Sequence, residues 1–168
     1  MEDFIPEYCK KQVLVLGCGN ELFGDDGFGP QTVEYLKKNN LIPENVVEVN
    51  AGTSVRNILF DIILFEKKPE KIIIVDAVDA GRIPGDIFEI LIDNIPENKC
   101  DDFSMHQLPT SNLLKELREL CMVEIKIFVC QVKNLPESVS PGLSKKIRDS
   151  IPEMCKLIIS EIKQDNLS

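Results

Sequence analysis

The chain holds one histidine, His106, in the polar stretch DDFSMHQLPTSN, and three acids, Glu21, Asp25 and Asp26, inside the glycine-rich run GCGNELFGDDGFG at residues 17–29. A glycine loop after an apolar run ordinarily suits a nucleotide phosphate, cradled by loop N–H groups and a helix N-terminus. Three carboxylates would repel a phosphate and attract a cation. A further carboxylate, Asp76, ends the apolar run at residues 72–75. Asp26, Asp76 and His106 together would make a set of two carboxylates and one imidazole. Such donors suit Zn, Ni, Mn or Fe in a partly open site, with water or substrate in the remaining positions.

Each of these residues also has a purely structural reading. Asp25 and Asp26 could be turn and N-cap acids at the positive end of a helix dipole. Asp76 could be a strand-end residue bonded to a nearby backbone N–H, and His106 a solvated loop residue. Gly17 and Gly19 serve a tight turn under any function. Asn20 can hold the loop by bonds from side chain to backbone. Asp79 reads as solvated or turn-forming, and Glu21 as exposed.

Spacing argues against several familiar chemistries. A dinucleotide fingerprint needs glycine where Leu22 stands, so the following helix is expected not to approach closely. The stretch LGCGN also opens the adenosyl loop of methyltransferases, but Glu21 stands where that loop continues with glycine. No G-x-S-x-G nucleophile elbow and no H-E-x-x-H zinc motif occurs.

The elements that must position these residues follow from hydrophobic pattern. The runs at residues 13–16 and 72–75 are continuously apolar and read as strands buried on both faces. Residues 46–49 form a short strand and residues 125–132 the last one. IPGDIFEIL opens on a Pro84-Gly85 turn and alternates, as an edge strand does. Pro30 fits the first turn of a helix that uses Val33 and Leu36 and ends at residues 37–40. Thr53 or Ser54 is expected to cap a second helix with Ile58, Leu59, Ile62 and Ile63 on one face. Thr110 or Ser111 is expected to cap a third, with Leu113, Leu114, Leu117 and Leu120 inward. Ser140-Pro141 opens a C-terminal helical region to about residue 163, which Pro152 should kink or split. This order predicts a three-layer α/β/α sandwich around a twisted, mainly parallel five-stranded sheet, in a single domain over residues 1–168. In such sheets ligands bind outside the carboxyl ends of the strands, where the acidic loop and Asp76 both fall.

Composition narrows the partners. Of 168 residues, 28 are acidic and 19 basic, so the net charge is -9. Nucleic acid and anionic membrane surfaces are therefore disfavoured. The six cysteines show no C-x-x-C pair and read as reduced, which fits a cytoplasmic location. The N-terminus has no signal-peptide pattern, and no stretch is long and apolar enough to span a membrane.

LGCGNELFGDDGFGP, VNAGTS, VDAVDAG, SMHQL and LPESVSPGLS occur in a distinctive order. Taken together they resemble the hydrogenase maturation endopeptidases, which process the large subunits of [NiFe] hydrogenases. The resemblance implies an α/β/α fold and an aspartic-type endopeptidase that removes a short C-terminal extension once nickel is in place. It places the first metal-contacting acid on Asp26 rather than Asp25, the strand-end aspartate on Asp76 and the histidine on His106. Gly17, Gly19, Asn20, Asp25, Gly27, Gly52, Thr53 and Gln107 fall on loop-support or substrate-contact positions. Asn50 departs from the acid that many members carry before the G-T turn, and is not assigned to catalysis. The NAGT form looks closer to archaeal enzymes serving a deazaflavin-coenzyme-reducing hydrogenase.

The implied partner is a nickel-loaded large-subunit precursor, and the implied state is a monomer. The nickel belongs to the substrate. No tightly bound cofactor is expected, although Zn or Cd can substitute in the free protein. Substrate nickel could act as a Lewis acid or lower the pKa of a water, or one carboxylate could serve as general base. The residues leave these routes open. Two rival readings are a nickel-checking chaperone of the same fold without proteolysis and an adenosyl-dependent methyltransferase.

Overall fold

The computed structural model describes residues 4–95 and 111–165. Five strands, β1 (Val13–Cys18), β2 (Val46–Gly52), β3 (Lys71–Val78), β4 (Ile87–Glu89) and β5 (Glu124–Gln131), form one sheet in the order β2-β1-β3-β5-β4. The first four in that order are parallel, and only the edge strand β4 runs antiparallel, on β5. The chain leaves β1 to one side and returns on the other, so the switch point lies between β1 and β3. Their register ends with Gly17 opposite Val75, which brings Cys18 and Asp76 side by side at the carboxyl edge.

The continuous apolar runs are explained by helices on both faces. Val13, Val15, Ile73 and Val75 pack with Val33 and Leu36 of α2 (Phe28–Lys38) and with Met154, Ile158 and Ile162 of α6 (Ile151–Asp165). Leu14, Leu16, Ile72 and Ile74 pack with Leu59 and Ile62 of α3 (Val55–Leu64) and with Leu114 and Leu117 of α4 (Ser111–Glu119). Full burial of each such side chain stabilises the fold by about 1.5–3 kcal/mol. At the opposite edge of β3, the buried Lys71 ammonium pairs with Glu161 at 2.8 Å and with Glu124 at 3.4 Å. No helix among the described residues is long and apolar enough to cross a membrane.

Several expectations are corrected. A short helix, α1 (Glu7–Lys10), precedes β1 and has no periodic signature in the sequence. Ser54 occupies the N-cap of α3 but makes no side-chain capping bond, and Thr53 is exposed. Leu120 follows the end of α4 and is 77% exposed rather than inward. The C-terminal helices begin at α5 (Lys145–Asp149), not at Ser140, and are split from α6 at Ser150. Pro152 sits in the first turn of α6, where its missing N–H costs nothing. The capping position Thr110 lies outside the described residues.

Candidate functional site

The loop after β1 is built so that a helix can begin almost in contact with the sheet. A Cβ added to Gly29 would lie 2.2 Å from the Cys18 carbonyl oxygen and 2.4 Å from that of Val75. One added to Gly17 would lie 2.5 Å from the Gly29 oxygen. The close approach that Leu22 was expected to prevent is therefore made by Gly29. Gly19 has φ +130°, and a Cβ there would fall 1.9 Å from the Asp26 oxygen. The backbone carrying Asp26 thus lies directly on the turn that ends β1. Gly27 is buried against Glu21, which is itself exposed. Gly52, at φ +53°, accepts the Gly19 N–H at 3.0 Å through its carbonyl, so the β2 turn braces the same loop.

Asn20 ties the loop as expected. Its Oδ1 accepts the Leu22 N–H at 3.0 Å, and its own N–H donates to Asp26 Oδ2 at 2.9 Å. Asp26 is 3% exposed and lies in a 3-10 turn, Gly24–Gly27, ahead of α2. Asp76 is 1% exposed, on the face of β3 shared with Ile72 and Ile74. Its Oδ1 accepts the Ala77 N–H at 2.7 Å, so the strand-end bond expected of a structural aspartate is present. Burial, and then repulsion from Asp26, push the Asp76 carboxyl well above the usual carboxylate range, against the stabilising Ala77 bond. The two carboxylates are near enough to disfavour each other's charge.

Cys18 shares this corner. It is 2% exposed, and burial together with Asp76 and Asp26 drives its thiol well above the ordinary value. A thiol held neutral in this way is a poor nucleophile. All five described cysteines are free.

Asp25 is where the sequence reading is most altered. It is fully buried and caps no helix. Its carboxylate accepts N–H bonds from Lys133 at 2.9 Å, Asn134 at 2.7 Å and Ser144 at 2.6 Å, and the Ser144 hydroxyl at 3.0 Å. Two adjacent acids thus have different environments: Asp25 grips a distant backbone and Asp26 joins Asp76. Asp79, outside the pair, forms a turn with the Gly81 N–H and accepts Gln131 Nε2 at 3.1 Å.

His106 and Gln107 lie outside the described residues, and among the described residues no group of three possible metal ligands occurs. Asp26 and Asp76 are brought together. Asp26 also forms part of a cleft of about 230 Å³ lined by Phe23, Leu135, Pro136 and Glu137. Sequence reasoning quoted LPESVSPGLS and the run that contains Gly29 as motifs but gave neither Gly29 nor residues 133–144 a structural role. The glycine was visible as the last in a run, but its need for close approach depends on how its helix packs on Cys18 and on Val75 in another strand.

A family model described as hydrogenase maturation protease matches residues 30–161, a span that contains Asp76 and begins after Asp26. A Methanocaldococcus jannaschii protein, provisionally named as a hydrogenase maturation protease, is 38% identical over 157 residues, covering 92% of this chain and 99% of its own. The coenzyme F420 hydrogenase subunit delta of Methanothermobacter thermautotrophicus is 34% identical over 155 residues, covering 90% and 94%. The same fold occurs in the crystal structure of a [NiFe] hydrogenase maturation protease from Thermococcus kodakarensis. There the TM-score is 0.73 and the identity 23%, over 91% of this chain and 93% of that one.

Proposed function

The chain belongs to the hydrogenase maturation protease family and is a peptidase; from that premise we propose that it cleaves a C-terminal extension from a [NiFe] hydrogenase large-subunit precursor after nickel insertion. Asp26, Asp76 and His106 complete the coordination of the nickel that the precursor carries. The observation that supports this most is the burial of Asp26 and Asp76 side by side at the switch point between β1 and β3, with the Asp76 carboxyl raised by burial and then by Asp26. A divalent cation arriving there removes the repulsion that the two carboxylates otherwise impose on each other. An unloaded precursor brings no such cation, so the site discriminates loaded from unloaded substrate by charge.

In the cleavage itself, water adds to the scissile carbonyl carbon, its proton passes to a base, and the C–N bond breaks as the amine leaves with a proton. In this reading the base is Asp26 or Asp76, the two carboxylates buried at the switch point. Asp25 is not the base, because its carboxylate is already filled by four donors. Cys18 does not supply a covalent nucleophile, since its thiol is buried and held neutral.

The test is mass spectrometry of a [NiFe] hydrogenase large-subunit precursor incubated with this protein, with and without nickel loaded. Loss of a C-terminal peptide from the loaded form alone is expected. Asp26→Asn, Asp76→Asn and His106→Ala should each suppress it. Equal cleavage of both forms, or wild-type rates in all three variants, would sink the nickel reading.

A further inference from the structure

The segment after β5 is stitched to the acidic loop along its length. Phe23 and Ser140 form a parallel bridge, with the Gly24 N–H donating to the Ser140 oxygen at 2.9 Å and the Ser140 N–H to the Leu22 oxygen at 2.8 Å. The Asp25 N–H donates to the Asn134 oxygen at 3.1 Å. Beneath these bonds the Asp25 carboxylate takes its four donors from Lys133, Asn134 and Ser144. Gly24, at φ +53°, leaves room for Pro136, whose Cδ would lie 2.7 Å from a Cβ. The segment between the two ends of this clasp is thereby held as an arch that lines one cleft with Asp26.

The arch makes the cleft of about 230 Å³ whose walls are Phe23, Leu135 and Pro136, with Glu137 at one side and Asp26 in its lining. One of its apolar wall residues is left partly open to solvent: Leu135 is 39% exposed. The volume is below the roughly 300–1,000 Å³ of sites that enclose a whole small-molecule ligand, and suits a single large side chain. The walls are apolar, while Glu137 and Asp26 would repel an acidic one.

We infer that this cleft is a specificity pocket for an apolar side chain of the precursor segment flanking the scissile bond, and that Asp25 is the positioning residue that builds it. The inference rests on the proposed processing reaction, because Asp26 belongs to both the pocket and the nickel site. Whatever fills the pocket therefore lies next to the reacting peptide. Asp25 acts through the wall it fixes and does not touch substrate.

The experiment measures steady-state processing of the nickel-loaded precursor together with fluorescence anisotropy of a labelled peptide spanning its cleavage region. Leu135→Glu changes a partly exposed wall residue and should leave the fold intact. It is expected to raise KM and the peptide Kd by at least about tenfold, the scale set by losing one good apolar contact. The kcat should stay within about threefold, as for loss of uniform binding. Leu135→Met should restore both, and Leu64→Glu, on the exposed end of α3, should change neither. Asp25→Asn should reproduce the Leu135→Glu pattern if circular dichroism shows it folded. Wild-type KM and Kd in Leu135→Glu would overturn the pocket and leave the processing reading standing. Peptide binding that depends on Leu135 without any cleavage by the wild type would keep the pocket and sink the processing reading. Absence of both binding and cleavage would overturn the two together.

Discussion

Replacing Gly29 by alanine tests whether contact between helix and sheet sets the position of Asp26. The added Cβ would meet three backbone atoms: Cys18 O at 2.2 Å, Val75 O at 2.4 Å and Cys18 N at 2.7 Å. An ordinary contact begins near 3.4 Å, so the shortest of these is more than an ångström too close. No side chain can rotate away to relieve it. The N-terminus of α2 must lift from the β1–β3 edge, and the Gly24–Gly27 turn must lift with it. Overpacking of this kind costs about 1–3 kcal/mol, and the rigid neighbours put this site at the upper end. For a chain of this size, that lowers Tm by about 6–12 °C. Gly81→Ala is the matched control. Its φ is +68°, yet no atom lies within 4 Å of the added Cβ, so only the cost of the left-handed backbone, about 1–2 kcal/mol, remains. Differential scanning calorimetry and precursor processing would be read on both variants. Gly29→Ala should lose more stability than Gly81→Ala and should also process poorly where it is still folded. A Gly29→Ala protein with the wild-type Tm and rate would refute the contact argument.

Three other outcomes are expected. Because the folded pKa of Asp76 is raised, its contribution to stability is full below the unfolded carboxylate pKa and is lost as pH rises through the folded value. Asp76→Asn should therefore raise Tm at about pH 8 while abolishing processing, with the gain vanishing near pH 4; a lower Tm at the alkaline end would contradict the burial argument. Cys18→Ala should cost about 1 kcal/mol and keep processing, and a folded but inactive variant would make Cys18 the nucleophile after all. Lys71→Ala strands Glu161 and should cost about 3–5 kcal/mol while kcat of the folded fraction is unchanged. A Tm within about 2 °C of wild type would show the pair to be dispensable.

The parallel sheet was legible because burial on both faces leaves an unbroken apolar run, as at residues 72–75, and because Pro152 announces a helix boundary. The convergence of Asp26 and Asp76 followed from a general property of such sheets, whose loops meet beyond the carboxyl ends of the strands. Asp25 was given a loop-support position by resemblance, but its partners were not legible. An acid pair before a helix looks like capping chemistry, and the donors that claim Asp25 are 108 to 119 positions away. The crowding at Gly29 was not legible either, since it comes from the backbone of Cys18 and, across the sheet, of Val75. The helix α1 has four residues, too few for any periodicity to register. Leu120 fits the apolar spacing of α4, but the helix ends one residue earlier and turns it outward.

The Asp25 clasp also orders events in time. During synthesis β1, the acidic loop and β3 leave the ribosome before Lys133 and Ser144 do, and a domain generally folds as a unit. Until those late residues arrive, the Asp25 carboxylate has none of its four native donors and the cleft beside Asp26 has only one wall, Phe23. A nascent chain can therefore hold both carboxylates of the site and still be unable to grip a peptide. The cleft beside Asp26 is therefore complete only once residues 133–144 have joined the acidic loop.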